Sequence, residues 1–345
     1  MTINYVGYAG TYTRKTSKGV YRFELDPQSQ KLTAVEVAAE VGSPTYVTIS
    51  DDKRYLFSIA QDGESGGVQA YKIDPKTGKL TKLDEQLTEG KSPCHLSFYK
   101  GKLVTGNYHK GEVGLYSFTA EETLVAESFI QHSGSGPHER QEKSHVHFAG
   151  FTPERNYVVV CDLGTDELVT YRIAGNQLER HQTLTLKLGS GPRHIVFHPN
   201  GKTAYLLTEL SSEVIVIDYH AETGSFTEKQ TILAKPADFT DTNDASAIHI
   251  SSDGKFVYTG NRGHNSIALF EVDPKTDKLT FVEFTSTGGE WPRDFVLDPS
   301  ESFIVASNQH SGNLVLFARD QQTGKLTQLD SVVEVPEVVC VKFLN

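Results

Sequence analysis

Short runs of alternating apolar and polar residues recur along the chain, as in PRHIVFHP (192–199), TAYLLTEL (203–210) and EVIVIDYH (213–220). A period of two buries one face of an extended strand, whereas few windows carry the 3.6-residue period of an amphipathic helix. The pattern predicts an all-β chain. Two kinds of turn signal stand between the runs. One is a D-G-K or N-G-K tip, at Asp52-Lys53-Arg54, Asn200-Gly201-Lys202 and Asp253-Gly254-Lys255. The other reads D-P-K-T-G-K-L at 74–80 and again at 273–279, where Asp277 replaces the glycine; looser copies occupy 26–32 and 323–326. Proline and glycine supply the backbone angles of tight reversals, which makes these hairpin tips.

A third marker opens each unit: Ser43-Pro44, Ser92-Pro93, Gly191-Pro192 and Trp291-Pro292, with Ser144 and Ala245 replacing the proline in two others. The units recur every ~45 to 54 residues, the range of four-stranded propeller blades. Six complete units begin near residues 42, 91, 143, 190, 244 and 290, and two complementary fragments are left over. The C-terminal run PEVVCVKFL matches the first strand of a unit, and residues 4–38 match its second, third and fourth. Joined, they form a seventh blade that ties the chain ends and leaves no open edge. The expectation is a seven-bladed β-propeller of four-stranded antiparallel blades, one domain over 1–345, with residues 337–343 paired to 4–12.

Because the first and second strands of a blade run antiparallel, the start of one and the end of the other meet at the same face. Gapless alignment of the second strands puts Thr11, Ala60, Asn107, Asp162, Thr208, Asn261 and Asn308 in one column. The next column holds Tyr12, Gln61, Tyr108, Leu163, Glu209, Arg262 and Gln309. The first strands add Thr45, Cys94, His145, Arg193, Ser246, Arg293 and Glu337. Polar strand ends beside wet loops are ordinary at any single position. The columns together mix both charges with Tyr and Asn, as a surface built for one asymmetric ligand requires. Chemistry is therefore expected at this mouth and not at the face of short tips.

Other polar features carry less. His147 shares a strand face with His145 and can be a solvated neighbour, while His249, between Ile248 and Ile250, reads as structural. Asp241-Thr242-Asn243-Asp244 lacks the glycine and distal Glu of a calcium loop. Gly134-Ser135-Gly136-Pro137 lacks the strand-to-helix context of an anion-binding turn.

Charge narrows the partners. With 33 Lys and Arg against 44 Asp and Glu, the net charge of -11 and the lack of a basic cluster speak against nucleic acid and anionic membrane. No run approaches ~20 apolar residues, and the N-terminal MTINYVGYAG has no basic region followed by an apolar stretch. A cytoplasmic location is expected. Cys94, Cys161 and Cys340 are odd in number and lack C-x-x-C spacing, which fits free thiols in a reducing compartment and not a zinc site. No metal or cofactor is implied, and the pattern is silent on oligomeric state.

The sequence resembles, over essentially its whole length, the propeller lactonase family that contains bacterial 6-phosphogluconolactonase and the fungal carboxymuconate cyclase. The resemblance rests on Gly10-Thr11-Tyr12-Thr13, the D-P-x-T-G-x-L tips, and Arg140-Gln141 followed by Ser144-His145-Val146-His147. Gly191-Pro192-Arg193-His194, Thr208-Glu209-Leu210 and Gly260-Asn261-Arg262 complete it. It implies functional roles for His145, Arg193, Glu209 and Arg262, all of them mouth positions. Ser144 stands where the family commonly has proline, a change expected to loosen that strand start.

The chemistry implied is opening of a small anionic lactone, with 6-phosphogluconolactone as the expected substrate. Glu209 and His145 would divide the proton transfers. Arg193 and Arg262 would hold a phosphate or carboxylate and stabilise an oxyanion. Arg293 would meet the anionic tail, and His147, Asn261, Tyr12, Tyr108, Asn308 and Gln309 would line the substrate. A cycloisomerase acting on a carboxymuconate-like diacid could use the same groups, and a non-enzymatic binding propeller is the third possibility. The residues alone leave the first two open.

Overall fold

The computed structural model describes residues 4–344. Seven four-stranded antiparallel sheets follow one another around a ring. We number them as blades in chain order: blade 1 spans 47–89, blade 2 95–131, blade 3 146–185, blade 4 192–233, blade 5 244–286 and blade 6 292–334. Blade 7 joins 338–343 to 5–40. Among the described residues the only helical element is the 3-10 turn Glu139–Gln141, and no helix is long and apolar enough to cross a membrane.

Ring closure follows the complementary half-units. Val338–Phe343 pairs antiparallel with Tyr5–Thr11, setting Gly7 opposite Phe343 and Gly10 opposite Cys340. The alternating faces then pack sheet on sheet. Phe303, Val305, Leu314 and Leu316 of blade 6 meet Ala9, Phe23, Leu25, Val338 and Val341 of blade 7. Tyr8, Val20 and Cys340 of blade 7 meet Val47, Leu56 and Tyr71 of blade 1. The seam between the chain ends is thus buried and apolar on both sides, and hydrophobic burial as well as the strand ladder keeps the ring closed.

On one face the tips repeat a single device. Asp74 Oδ1 accepts from the amides of Lys76 and Thr77 and from the Thr77 hydroxyl. Asp273 does the same with Lys275 and Thr276, and Asp320 takes the Gln322 and Thr323 amides. Gly78 turns with φ 67°, and Asp277 occupies the same left-handed position at φ 56°, a conformation that a short polar side chain tolerates.

The inner strands depart from regularity at the other face. Pro192 opposes Thr208 while His194 opposes Leu207, so Arg193 is an extra residue with no partner. The same β-bulge leaves His147, Arg293 and Val339 unpaired in blades 3, 6 and 7. A bulge bends its strand and re-aims the extra side chain. This register corrects the first-strand column in two blades. His147 and not His145 is the counterpart of Arg193 in blade 3, and Val339 and not Glu337 is its counterpart in blade 7. Both markers, Ser144 and Pro336, lie two residues too early. A slip of two keeps every side chain on its own face, so alternation cannot reveal it. Glu337 instead adopts φ 55° and accepts from the amides of Arg14 and Lys15.

Candidate active site

The bulged residues come together with Thr45 and Cys94 at one cavity. Thr45, Cys94, His147, Arg193, Arg293 and Val339 line a throat of about 20 Å³, enough for one water. One residue further along the inner strands, Tyr46, His95, Phe148 and His194 pack ring against ring with centroids 4.2 to 6.2 Å apart. They form an aromatic floor under the throat. Burial, reinforced by Lys342, pushes His95 down to about 3, and burial with Arg193 holds His194 well below its ordinary value.

Glu209 is the hub of the charged groups. It is 1% exposed. Its Oε2 accepts from Arg193 Nε at 2.8 Å and lies 2.8 Å from Arg262 Nη2, while Oε1 accepts from Arg140 Nη2. Burial opposes ionisation, but the arginines outweigh it and hold the carboxyl well below the usual carboxylate range. Both of its oxygens are engaged by guanidiniums, which makes Glu209 the organiser of the cluster. Arg193 also donates to the Ser246 carbonyl and to His194 Nε2, and Arg262 to the Asp244 and Ala245 carbonyls. These bonds leave Arg193 Nη2 and Arg262 Nη1 without a partner among the described residues. Burial and the neighbouring Arg262 push Arg193 down to about 10, so it stays cationic at neutral pH.

The two histidines of the S-H-V-H motif differ in kind. His145 Nδ1 meets the Tyr108 carbonyl at 2.9 Å, Nε2 meets Glu142 at 3.1 Å, and the ring stacks on Tyr108 at 4.1 Å. Both of its nitrogens are engaged, and it does not line the throat. His147 does line it. Its Nδ1 is buried with no hydrogen-bond partner, and its Nε2 is 3.9 Å from Glu209. Burial, aided by Arg193, Arg293 and Arg262 against the pull of Glu209, holds this imidazole well below its ordinary value. It is neutral at neutral pH, with a nitrogen to offer.

The remaining sequence candidates divide. Tyr12 lines the throat, and the Arg14 and Arg293 guanidiniums lie over its ring at 3.9 and 5.6 Å. Tyr108 supports His145, and Gln309 keeps a buried, unpartnered Oε1. Asn261 and Asn308 are fully buried and leave the substrate-lining set. Their amides donate to the Ala234 and Thr287 carbonyls and staple the loops between blades. Ser144 does not loosen its strand: its hydroxyl donates to Asp162 Oδ2 at 2.6 Å, and Asp162 Oδ1 accepts from the His145 amide at 2.8 Å. Cys94, pushed up to about 11 chiefly by burial, is a thiol and not a nucleophile.

Two members of the charge network were not among the sequence-derived site residues. Arg140, on the 3-10 turn, bridges Glu209 and Asp244, the latter at 3.0 Å. Arg140 stands in a loop outside the strand columns, and its one signal in the sequence is its place in the family motif Arg140-Gln141.

The chain matches the family model "Lactonase, 7-bladed beta-propeller" over residues 6–343. The chain belongs to this lactonase family. A Bacillus subtilis (strain 168) relative named 6-phosphogluconolactonase is 51% identical over 344 residues, covering 99% of each chain. Among solved structures, a Lactobacillus plantarum protein superposes with a TM-score of 0.96 at 39% identity, covering 99% of this chain and 100% of its own. The Pseudomonas aeruginosa periplasmic gluconolactonase superposes at 0.94 with 31% identity, covering 99% of both. The propeller lactonase resemblance read from the motifs is thereby borne out. Among the described residues no group of three or more His, Cys, Asp or Glu is arranged to hold a metal ion.

Proposed function

We propose that this chain, acting as one propeller domain, hydrolyses 6-phosphogluconolactone to 6-phosphogluconate, a step of the pentose phosphate pathway. The observation that carries it is the throat with the charge cluster behind it: a neutral imidazole with an unpaired nitrogen lines the throat together with Arg193, and Arg262 is held on the same Glu209, each of these guanidiniums keeping one open nitrogen. Lactone hydrolysis needs a proton acceptor for water and a cationic site for the carbonyl oxygen as it gains charge. His147 Nδ1 takes a proton from a water whose oxygen bonds to the lactone carbonyl carbon. Arg193 and Arg262 stabilise the resulting oxyanion, held in place by Glu209. Collapse breaks the ring C–O bond, and the imidazolium returns its proton to the departing alkoxide. Lactone and water are consumed, and one hydroxy acid is formed.

This assignment moves the proton transfers from His145 and Glu209 to His147. His145 is left as an engaged rim residue stacked on Tyr108. A phosphorylated substrate does not cross membranes unaided, which favours a cytoplasmic site of action. The test is turnover of 6-phosphogluconolactone by purified protein, read as 6-phosphogluconate formed above the enzyme-free rate, with and without EDTA. Turnover that survives EDTA supports the proposal. Turnover of carboxymuconate but not of the lactone would replace it with cycloisomerisation.

A further inference from the structure

The mechanism leaves the substrate's phosphate without a partner. Arg193 and Arg262 are tied to Glu209 and to strand carbonyls. The throat, at about 20 Å³, cannot admit a phosphate ester. Beside it, however, a rim cleft of about 280 Å³ is lined by Arg14, Ser43, Gln61, Lys91, Ser92 and His109. Cleft and throat share Tyr12, Thr45 and Cys94, so the two adjoin across these side chains.

The cleft has the opposite charge to the protein. The chain carries 44 acidic residues against 33 basic ones, yet no carboxylate lines the cleft. Glu337, close in sequence to the throat's Val339, is taken up by the Arg14 and Lys15 amides. Arg14 and Arg293 lie over the same Tyr12 ring, which links the cation of the cleft to the cation of the throat. His109 registers this field: after burial, the influences that push it down are His145, Lys143, Lys91 and Arg14, all basic groups. Like charges gathered without counter-ions repel one another, and an anion bound among them relieves that repulsion.

We propose that this cleft is the phosphate subsite, in which Arg14 and Lys91 receive the dianion, with Arg293 adding its field from across the Tyr12 ring, while the lactone carbonyl reaches the throat past Tyr12, Thr45 and Cys94. The substrate then lies off the channel axis, across blades 7, 1 and 2. Selection for the phosphate is physically separate from the hydrolytic groups. The subsite rests on the proposed lactonase function and specifies which part of its substrate each region meets.

The test uses the full chain and the double variant Arg14→Ala/Lys91→Ala, whose two side chains are exposed and outside the hydrolytic groups. Expected with 6-phosphogluconolactone is a KM raised about 10-fold or more at little changed kcat, with glucono-δ-lactone kinetics unaffected. Calorimetric binding of 6-phosphogluconate should weaken in parallel, while that of gluconate should not change. An unchanged KM for the phosphorylated lactone, or an equal loss on both lactones, would overturn the subsite. Failure of the parent protein to turn over either lactone would count against the lactonase function instead. The calorimetric pair would then still decide the subsite, since equal 6-phosphogluconate binding by parent and variant overturns it.

Discussion

The two faces of the propeller are built from the same strands and use aspartate and glutamate in contrasting ways. At the tip face, Asp74, Asp273 and Asp320 repeat one local turn, each carboxylate satisfied within three residues by its own backbone. At the mouth, the ends of the second strands diverge: Glu209 gathers three arginines from other parts of the chain, Asp162 fixes the start of the strand bearing His147, and Asn261 staples a loop. Repetition marks what every blade needs to fold. Departure from repetition marks what only one ligand needs. The mouth is also where buried charge has to be balanced by partners distant in sequence.

The largest effect should follow removal of the hub. Glu209→Gln leaves Arg193 and Arg262 buried without their anion, and should cost about 3–5 kcal/mol of stability with a collapse of kcat. Denaturant midpoints and kinetics at a temperature where both proteins are folded would measure the two losses separately. A variant as stable as the parent would contradict the hub.

Acid should break the mouth next. His95, His147 and His194 are all held neutral below their ordinary value in the folded state. Below about pH 6.5 the unfolded chain binds protons that the fold refuses, so the stability they contribute is complete above that pH and falls as pH drops below it. Each histidine should cost the fold about 1 kcal/mol per pH unit over that window. Thermal melts from pH 7.5 to 5 should show it, and a flat profile would contradict the buried neutral floor. The smallest effect should come from the tip face. Asp273→Ala removes one local turn device and should cost about 1 kcal/mol with kinetics unchanged.

Much of this was legible in the sequence because propeller blades repeat. The half-units at 336–344 and 4–38 imply ring closure, and Arg193, Glu209 and Arg262 fall into mouth columns by repeat alignment alone. The histidine does not, for a definite reason. The bulge in blade 3 lies at His147, yet the marker that opens the other blades led to Ser144, two residues upstream, and alternation is blind to an even slip. Asn261 and Asn308 were polar in the right column, but pattern cannot tell an amide that faces a ligand from one that holds a loop. Arg140, outside the repeat, had no column to reveal it.

Removing the two histidines one at a time tests the central claim most directly. Initial rates of 6-phosphogluconolactone hydrolysis, corrected for spontaneous opening, would be compared for the parent, His147→Ala and His145→Ala. Loss of the throat imidazole should lower kcat by about 100-fold or more, whereas loss of the engaged rim histidine should lower it by less than about 10-fold. Near-parental kcat in His147→Ala, with the deficit appearing in His145→Ala, would contradict the account and return proton transfer to the rim.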